Sequence, residues 1–212
     1  ALWSEGETAA LISTNDEYHI AATATLSASQ ILNGGTKACF SFENIAVGSY
    51  RIASPEPKEV STQGVTFNIP AVQTQNKLGI SGGRACLVGG VKESDGVLKD
   101  LKVSAETVKY DVYFKLAGAV LQFNIYDSTT PSSGELIKSV KVSATGANLS
   151  GDFTVDYAGE YVPASETGNS VVTVTVENRG IVVANKESAK AVYAVIVPAS
   201  IAANDNGSVT YT

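Results

Sequence analysis

His19 is the only histidine in the chain, so a Ser-His-Asp or Cys-His enzyme built on this sequence would have to use it as its base. It lies in the alternating stretch "YHIAATATL", where Tyr18 and Ile20 point to the opposite face, and no G-x-S-x-G elbow accompanies it. The pattern is that of a surface residue on a strand. Paired carboxylates are a second possibility. Glu56 with Glu59, or Asp152 with Asp156, have the residue types of a glycosidase, which needs two carboxyl groups flanking one bond in a cleft. Spacing alone makes no cleft, and acidic residues on exposed strand faces are ordinary in an acidic protein.

Cys39 and Cys86 are the only cysteines, too few for a four-ligand zinc site. They allow one bridge, or two separate thiols, which is the arrangement expected. In "KACFSF", Cys39 faces away from Phe40 and Phe42, toward a second layer or solvent. The segment "GGRACLVGGVKES" lacks the G-K-[ST] ending whose lysine and hydroxyl reach phosphate and Mg²⁺; it reads as short strands bounded by glycine. Oxygen-bearing side chains gather in "NDE" (15–17) and "NDNG" (204–207) without the spacing of a calcium loop, so both read as polar turns. No catalytic, cofactor-binding or metal-binding residue is assigned, and neither an enzyme nor a cofactor is expected.

The partners are narrowed by charge. Fifteen Lys and Arg against 21 Asp and Glu give a formal net charge of −6 with no basic cluster, which argues against nucleic acid. No apolar run approaches the roughly 20 residues that span a bilayer; the longest, "AVYAVIVPAS", is cut by Pro198. The chain opens at Ala1 with no initiator methionine or apolar leader, and reads as a processed product or a trimmed chain. Nine tyrosines and Trp3 could form a sugar-binding platform. Tyr110, however, is in register with Val112 and Phe114, Tyr157 with Phe153 and Val155, and Tyr193 with Val195, which places them in a core.

The elements that would position these residues are strands. "YHIAATATL", "KACFSF", "SYRIAS", "GVTFNIP" and "VLKDLKVSA" alternate apolar and polar residues. The pattern continues through Tyr110 to Leu116, Leu121 to Ile125, and Leu136 to Val142, then through "DFTVDY", "VVTVTVEN", "AVYAVIVP" and "SVTYT". The best helical candidate is "TLSASQIL", a weak one. Asn-Gly at Asn33 and Asn206, with Gly134, supplies residues that tolerate positive φ at turns. Strand signals every 8 to 12 residues argue for an all-β protein of two sandwiches, dividing near residues 105 to 109 into an N-terminal domain (1–107) and a C-terminal domain (108–212).

These segments, in order, resemble the fimbrillin family, the pilin subunits of type V pili of Bacteroides-like anaerobes. "LWSEGETAALI" is similar to the opening W-x-x-G-[DE] strand, "VTFNIPAVQTQN" to the ip-x-x-Q segment, and "VYFKLAGAVLQFNI" to the long strand entering the second domain. "LSGDFTVD" and "VYAVIVPAS" resemble the later Gly-x-[FY]-[ST] and v-l-P signatures. Lys115 and Leu116 stand where the family often has histidine in the long strand.

The resemblance implies two tandem transthyretin-like (Greek-key) β-sandwich domains, the second short of its last strands, and export as a lipoprotein to the outer surface. It implies a structural or adhesive pilus subunit whose partners are other pilin subunits, with host or bacterial surface ligands as further candidates. Assembly would follow proteolytic removal of an N-terminal strand at a basic residue, a strand from the next subunit taking its place. A groove for that strand would have walls such as Val172, Val174 and Val176, or Val195 and Val197. The alternative is a glycan-binding surface lipoprotein on the same scaffold; a hydrolase using His19 is a third reading.

Overall fold

The computed structural model describes residues 2–15, 17–75, 85–106, 108–127, 136–177, 180–182, 186 and 189–198. Among these the chain is all-β, with two short 3-10 turns and no α-helix. In chain order the first strands are β1 (Thr8–Ser13), β2 (His19–Thr25), β3 (Ile31–Leu32), β4 (Lys37–Ala38), β5 (Gly48–Ser54), β6 (Glu59–Ser61), β7 (Gly64–Ile69) and β8 (Val72–Gln75). Next come β9 (Leu87–Lys92), β10 (Leu98–Lys99), β11 (Leu101–Val103), β12 (Tyr113–Leu116), β13 (Ala119–Ile125) and β14 (Leu136–Ile137). The last are β15 (Ser139–Ser143), β16 (Ser150–Val155), β17 (Tyr161–Asn169), β18 (Val171–Val176), β19 (Ile181–Val182) and β20 (Lys190–Ile196).

Two apolar cores organise them. In the first, a seven-stranded sheet of β10, β9, β5, β1 and β2 with β11 and β12 faces the four-stranded sheet β17-β16-β7-β6. Ile12, Ala53 and Val88 of the large sheet meet Val65, Phe67, Ile69, Phe153 and Val155 of the smaller one. In the second, β15-β18-β8 faces the two-stranded sheet β13-β20. Val142, Val172 and Val174 pack there with Val192, Ala194 and Ile196. Alternation accounts for both, since every second residue of a strand shares a face. β20 serves the two cores at once: Val192, Ala194 and Ile196 belong to one, and Val195, with Val197 just past the strand, to the other.

The pairing does not follow the 107/108 division. β7 pairs antiparallel with β16, β8 runs parallel to β18, and β12 pairs with β9. The first core therefore draws on both halves of the sequence.

Two local expectations are corrected. "KACFSF" forms a strand only at Lys37–Ala38. Phe42 and Ile45 instead pack from a loop over Leu11, Tyr50 and Leu101, on the outer face of the large sheet. This cover explains why Ala9 to Ser13 of β1 are buried on both faces. "TLSASQIL" holds a 3-10 turn, Ala28–Gln30, closed by the Ser27 N–H donating to Gln30 Oε1 at 2.9 Å. Asn33 and Gly34 do adopt positive φ, at 50° and 65°, in the turn joining β3 to β4. Asn206, Gly134 and "SVTYT" lie outside the described residues.

A fork in the large sheet explains its one buried guanidinium among the described residues. β5 pairs with β9 through Ile52 to Ser54, and with β11 through Gly48 to Tyr50. Where β9 and β5 part, β10 and β11 enter between them, and Arg51 sits at the parting. Its Nε donates to Asp100 Oδ1 at 2.6 Å, Nη2 to Leu98 O at 2.8 Å and Nη1 to Tyr157 O at 3.0 Å. Thr14 Oγ1 donates to the other Asp100 oxygen at 2.8 Å. The guanidinium thus serves the Leu98 carbonyl at the fork and the Tyr157 carbonyl in the turn after β16 of the facing sheet. Gly90 makes room: a Cβ there would lie 2.4 Å from Lys99 O and 3.1 Å from Arg51 Nη1.

Candidate functional site

Nothing among the residues considered for catalysis converges. His19 is exposed on β2, its Nδ1 2.9 Å from Glu17 O. Glu56 and Glu59 are exposed. Asp152 accepts hydrogen bonds from Lys58 and, at 2.7 Å, from Asn68 Nδ2. Asp156 accepts from the N–H groups of Ala158 at 2.9 Å and Glu160 at 2.8 Å, and so closes a turn. No disulfide joins the two cysteines; Cys39 is exposed and Cys86 is buried. Burial pushes the Cys86 thiol up to about 12, which keeps it protonated and a poor nucleophile.

Asn15 accepts from the Ser49 N–H at 3.1 Å as part of a turn, while Asp16 and "NDNG" lie outside the described residues. Leu87–Lys92 of the glycine-rich segment is β9, in the middle of the large sheet. No group of three or more His, Cys, Asp or Glu among the described residues is placed to hold a metal ion.

The aromatic residues offer no flat platform around Trp3. Its ring meets Phe40 edge-on at 5.2 Å and 78°, and Phe114 at 5.4 Å and 62°. Tyr157 packs on the first core as its register predicts, and burial raises its phenol above the usual range. Tyr193 is half-buried. Tyr110 departs from expectation: it is exposed, because the strand expected from Tyr110 begins only at Tyr113.

The Lys58–Asp152 pair ties β16 to the segment before β6. The Lys58 ammonium and the Asn68 amide hold the Asp152 carboxyl below its ordinary range, and Asp152 raises Lys58. A depressed carboxyl contributes stability above its unfolded-state range and loses it as pH falls through the depressed value. A raised ammonium contributes below its ordinary range and loses it as pH rises through the raised value. The small stability gap between the parent chain and Asp152→Asn is therefore expected to be widest near neutral pH and to close in acid. Thermal melts from pH 7 to pH 2 check this.

Strand edges are the feature with functional potential, because an edge presents unpaired N–H and C=O groups to any strand that arrives. β6, β12 and β15 carry Glu59, Lys115 and Lys141, charges of the kind that discourage pairing. β13 (AVLQFNI) carries none, and no described strand lies beyond it. Val192, Ala194 and Ile196 of β20 face it in register with Phe123, Leu121 and Ala119, so the backbone groups of Val120, Gln122 and Asn124 point outward. Leu121, Phe123 and Ile125 pack on the second core yet are only half-buried. β2 (HIAATAT) is a second such edge, at the end of the large sheet, with His19 its one titratable residue.

The other edge of β20 is closed in an unusual way. Gln73 Nε2 donates to Val195 O at 2.6 Å, and the Val195 N–H donates to Gln73 Oε1 at 3.0 Å. Gln75 Nε2 donates to Ala191 O at 3.0 Å, and the Tyr193 N–H donates to Gln75 Oε1 at 2.7 Å. Toward β20 each carboxamide supplies one donor and one acceptor in the manner of a peptide group, and Gln73 Nε2 also donates to Pro70 O at 3.3 Å. Gln75 bridges Ala191 and Tyr193 as a parallel strand would. The amide orientation is fixed, since a flip would set N–H against N–H.

Gln73 and Gln75 were not singled out from the sequence, although their i, i+2 spacing puts both on one face of β8. The groove walls suggested from sequence are covered: Val172, Val174, Val195 and Val197 are all at most 2% exposed, and Val176 is half-buried. Comparison with protein-family models, curated proteins and solved structures finds no match to this chain.

Proposed function

We propose that this chain is a structural or adhesive subunit of a bacterial surface fimbria, joined to its neighbours by β-strand complementation. The observation that carries the reading is the edge of β13: seven residues without charge or proline, with Leu121, Phe123 and Ile125 half-buried beneath it. A strand arriving there would gain main-chain hydrogen bonds from Val120, Gln122 and Asn124, and its alternate side chains would complete the second core.

A filament needs two different contact surfaces on each subunit, because head-to-tail contacts do not close on themselves. The uncharged edge of β2 on the other core is suited to be the second. The likeness of the sequence segments to fimbrillins supports the same reading and brings with it export as a lipoprotein and placement on the outer cell surface.

The test is the polymer state of the full-length precursor before and after limited trypsin treatment, read by size exclusion and electron microscopy. Ladders or filaments are expected after cleavage, and Phe123→Glu in the precursor is expected to suppress them. A cleaved precursor that stays monomeric overturns the polymerising reading and favours a tip, anchor or glycan-binding role.

A further inference from the structure

β8 is held in place by an inverted pattern of burial. In the segment VQTQ, Val72 is 65% exposed while Gln73 and Gln75 are 3% and 6% exposed. One side of the strand runs parallel to β18, with Thr173 to Val176 opposite Val72 to Gln75. The glutamine amides reach from it to β20. β8 therefore fills a strand-sized slot between the two sheets of the second core, satisfying backbone on both sides. Little apolar surface holds it there, and parallel pairing is slightly weaker per residue than antiparallel. Segments with few buried apolar contacts open locally at lower free energy than the core around them.

We propose that β8 is a displaceable placeholder strand, and that the same segment, Val72–Gln75, of a second copy of this chain takes its place when it leaves. The slot lies between β18 and β20, and β8 fills it. The second copy is the fitting occupant because it reproduces every contact: the four amide bonds to Ala191, Tyr193 and Val195, the bond from Thr175 Oγ1 to Gln73 O at 3.1 Å, and the parallel register. β8 carries no charge, so its exchange brings like charges together nowhere along it. Exchange of an identical element between copies conserves the contacts and is a low-cost route to association. This inference stands apart from the reading of the β13 edge and does not rest on it.

Hydrogen exchange on the unmodified chain tests the opening. The Tyr193 and Val195 N–H groups, which donate to the glutamines, are expected to exchange at least ~10-fold faster than those of Val192 and Ala194, which face β13. Equal protection of the four would overturn the proposal, since β8 would then open only with the whole core.

A disulfide trap tests the occupant. Thr74→Cys with Thr175→Cys, in a Cys39→Ser background, places a thiol pair where the two hydroxyls lie 3.3 Å apart. Oxidation after incubation at high protein concentration is expected to yield covalent dimers. Intramolecular bridges alone, at every concentration, would rule out exchange between copies. Should the cysteine variant fail to fold, the unmodified chain decides the occupant: size exclusion after incubation at high protein concentration is expected to show a dimer, and a monomer at every concentration overturns the proposal.

Discussion

The Phe153→Ala variant is expected to unfold with about 3–5 kcal/mol less free energy than the parent chain, measured by urea titration. Phe153 is fully buried and pairs in register with Phe67, their ring centroids 5.9 Å apart. Removing its ring forfeits the transfer energy of the atoms and leaves a cavity walled by β-branched side chains that collapse poorly. A domain of ordinary stability has about 5–15 kcal/mol in total, so a loss on this scale is visible as a lowered midpoint. It should be felt in both halves of the sequence, because Phe67 and Phe153 lie on opposite sides of residue 107. Probes placed in β5 and in β16 should therefore report the same shifted transition. A loss under about 1 kcal/mol, or a shift seen by one probe alone, would contradict this account of the first core.

The second large effect is expected at the fork. Arg51→Met should cost about 2–4 kcal/mol, because three donors leave together and the Leu98 and Tyr157 carbonyls lose their partner. Side-chain exposure sets the range: Arg51 is 11% and Asp100 28% exposed, so water relieves part of the orphaned carboxylate, and the full cost of breaking a deeply buried pair does not apply. The double variant Arg51→Met with Asp100→Asn should recover part of the loss, since it removes the unpaired charge but not the unpaired carbonyls. Denaturant midpoints of the two singles and the double close the cycle. Strict additivity would mean that the two side chains do not act on each other.

Alternation made most strands legible. GVTFNIP, SGDFTV, VVTVTV and KAVYAVI all form strands that bury Val65, Phe67 and Ile69, Phe153 and Val155, Val172 and Val174, and Val192 and Val195, because apolar residues at every second position give a strand a buried face. Pairing partners were not legible. Which strand lies beside β7 depends on residues more than 80 positions away, such as Asp152 and Phe153, and nothing local to "VTFNIP" encodes that choice. The same limit applies to the division at 107/108, drawn where the pattern paused and crossed by three ladders in the structure.

The glutamine site was illegible for a different reason. An alternation of Val and Gln reads as apolar-in and polar-out, and β8 does the reverse. A buried amide is tolerable only when both its donor and its acceptor find partners, and the partners belong to β20, more than 115 residues later. Arg51 was hidden in the same way inside "SYRIAS", as an apparent outward residue. In both places the polar side chain goes inward to satisfy backbone that the sheet has left open, a demand created by topology.

Pulling the two halves of this chain apart would not straighten a linker. The described strands on either side of residue 107 are joined by the ladders β7–β16, β8–β18 and β9–β12, so a tensile load between the halves has to rupture rows of hydrogen bonds. Resistance to forced unfolding is set by the rate at which such rows give way. In mechanical terms the molecule is stitched across its middle, a construction suited to carrying load whatever it is fastened to.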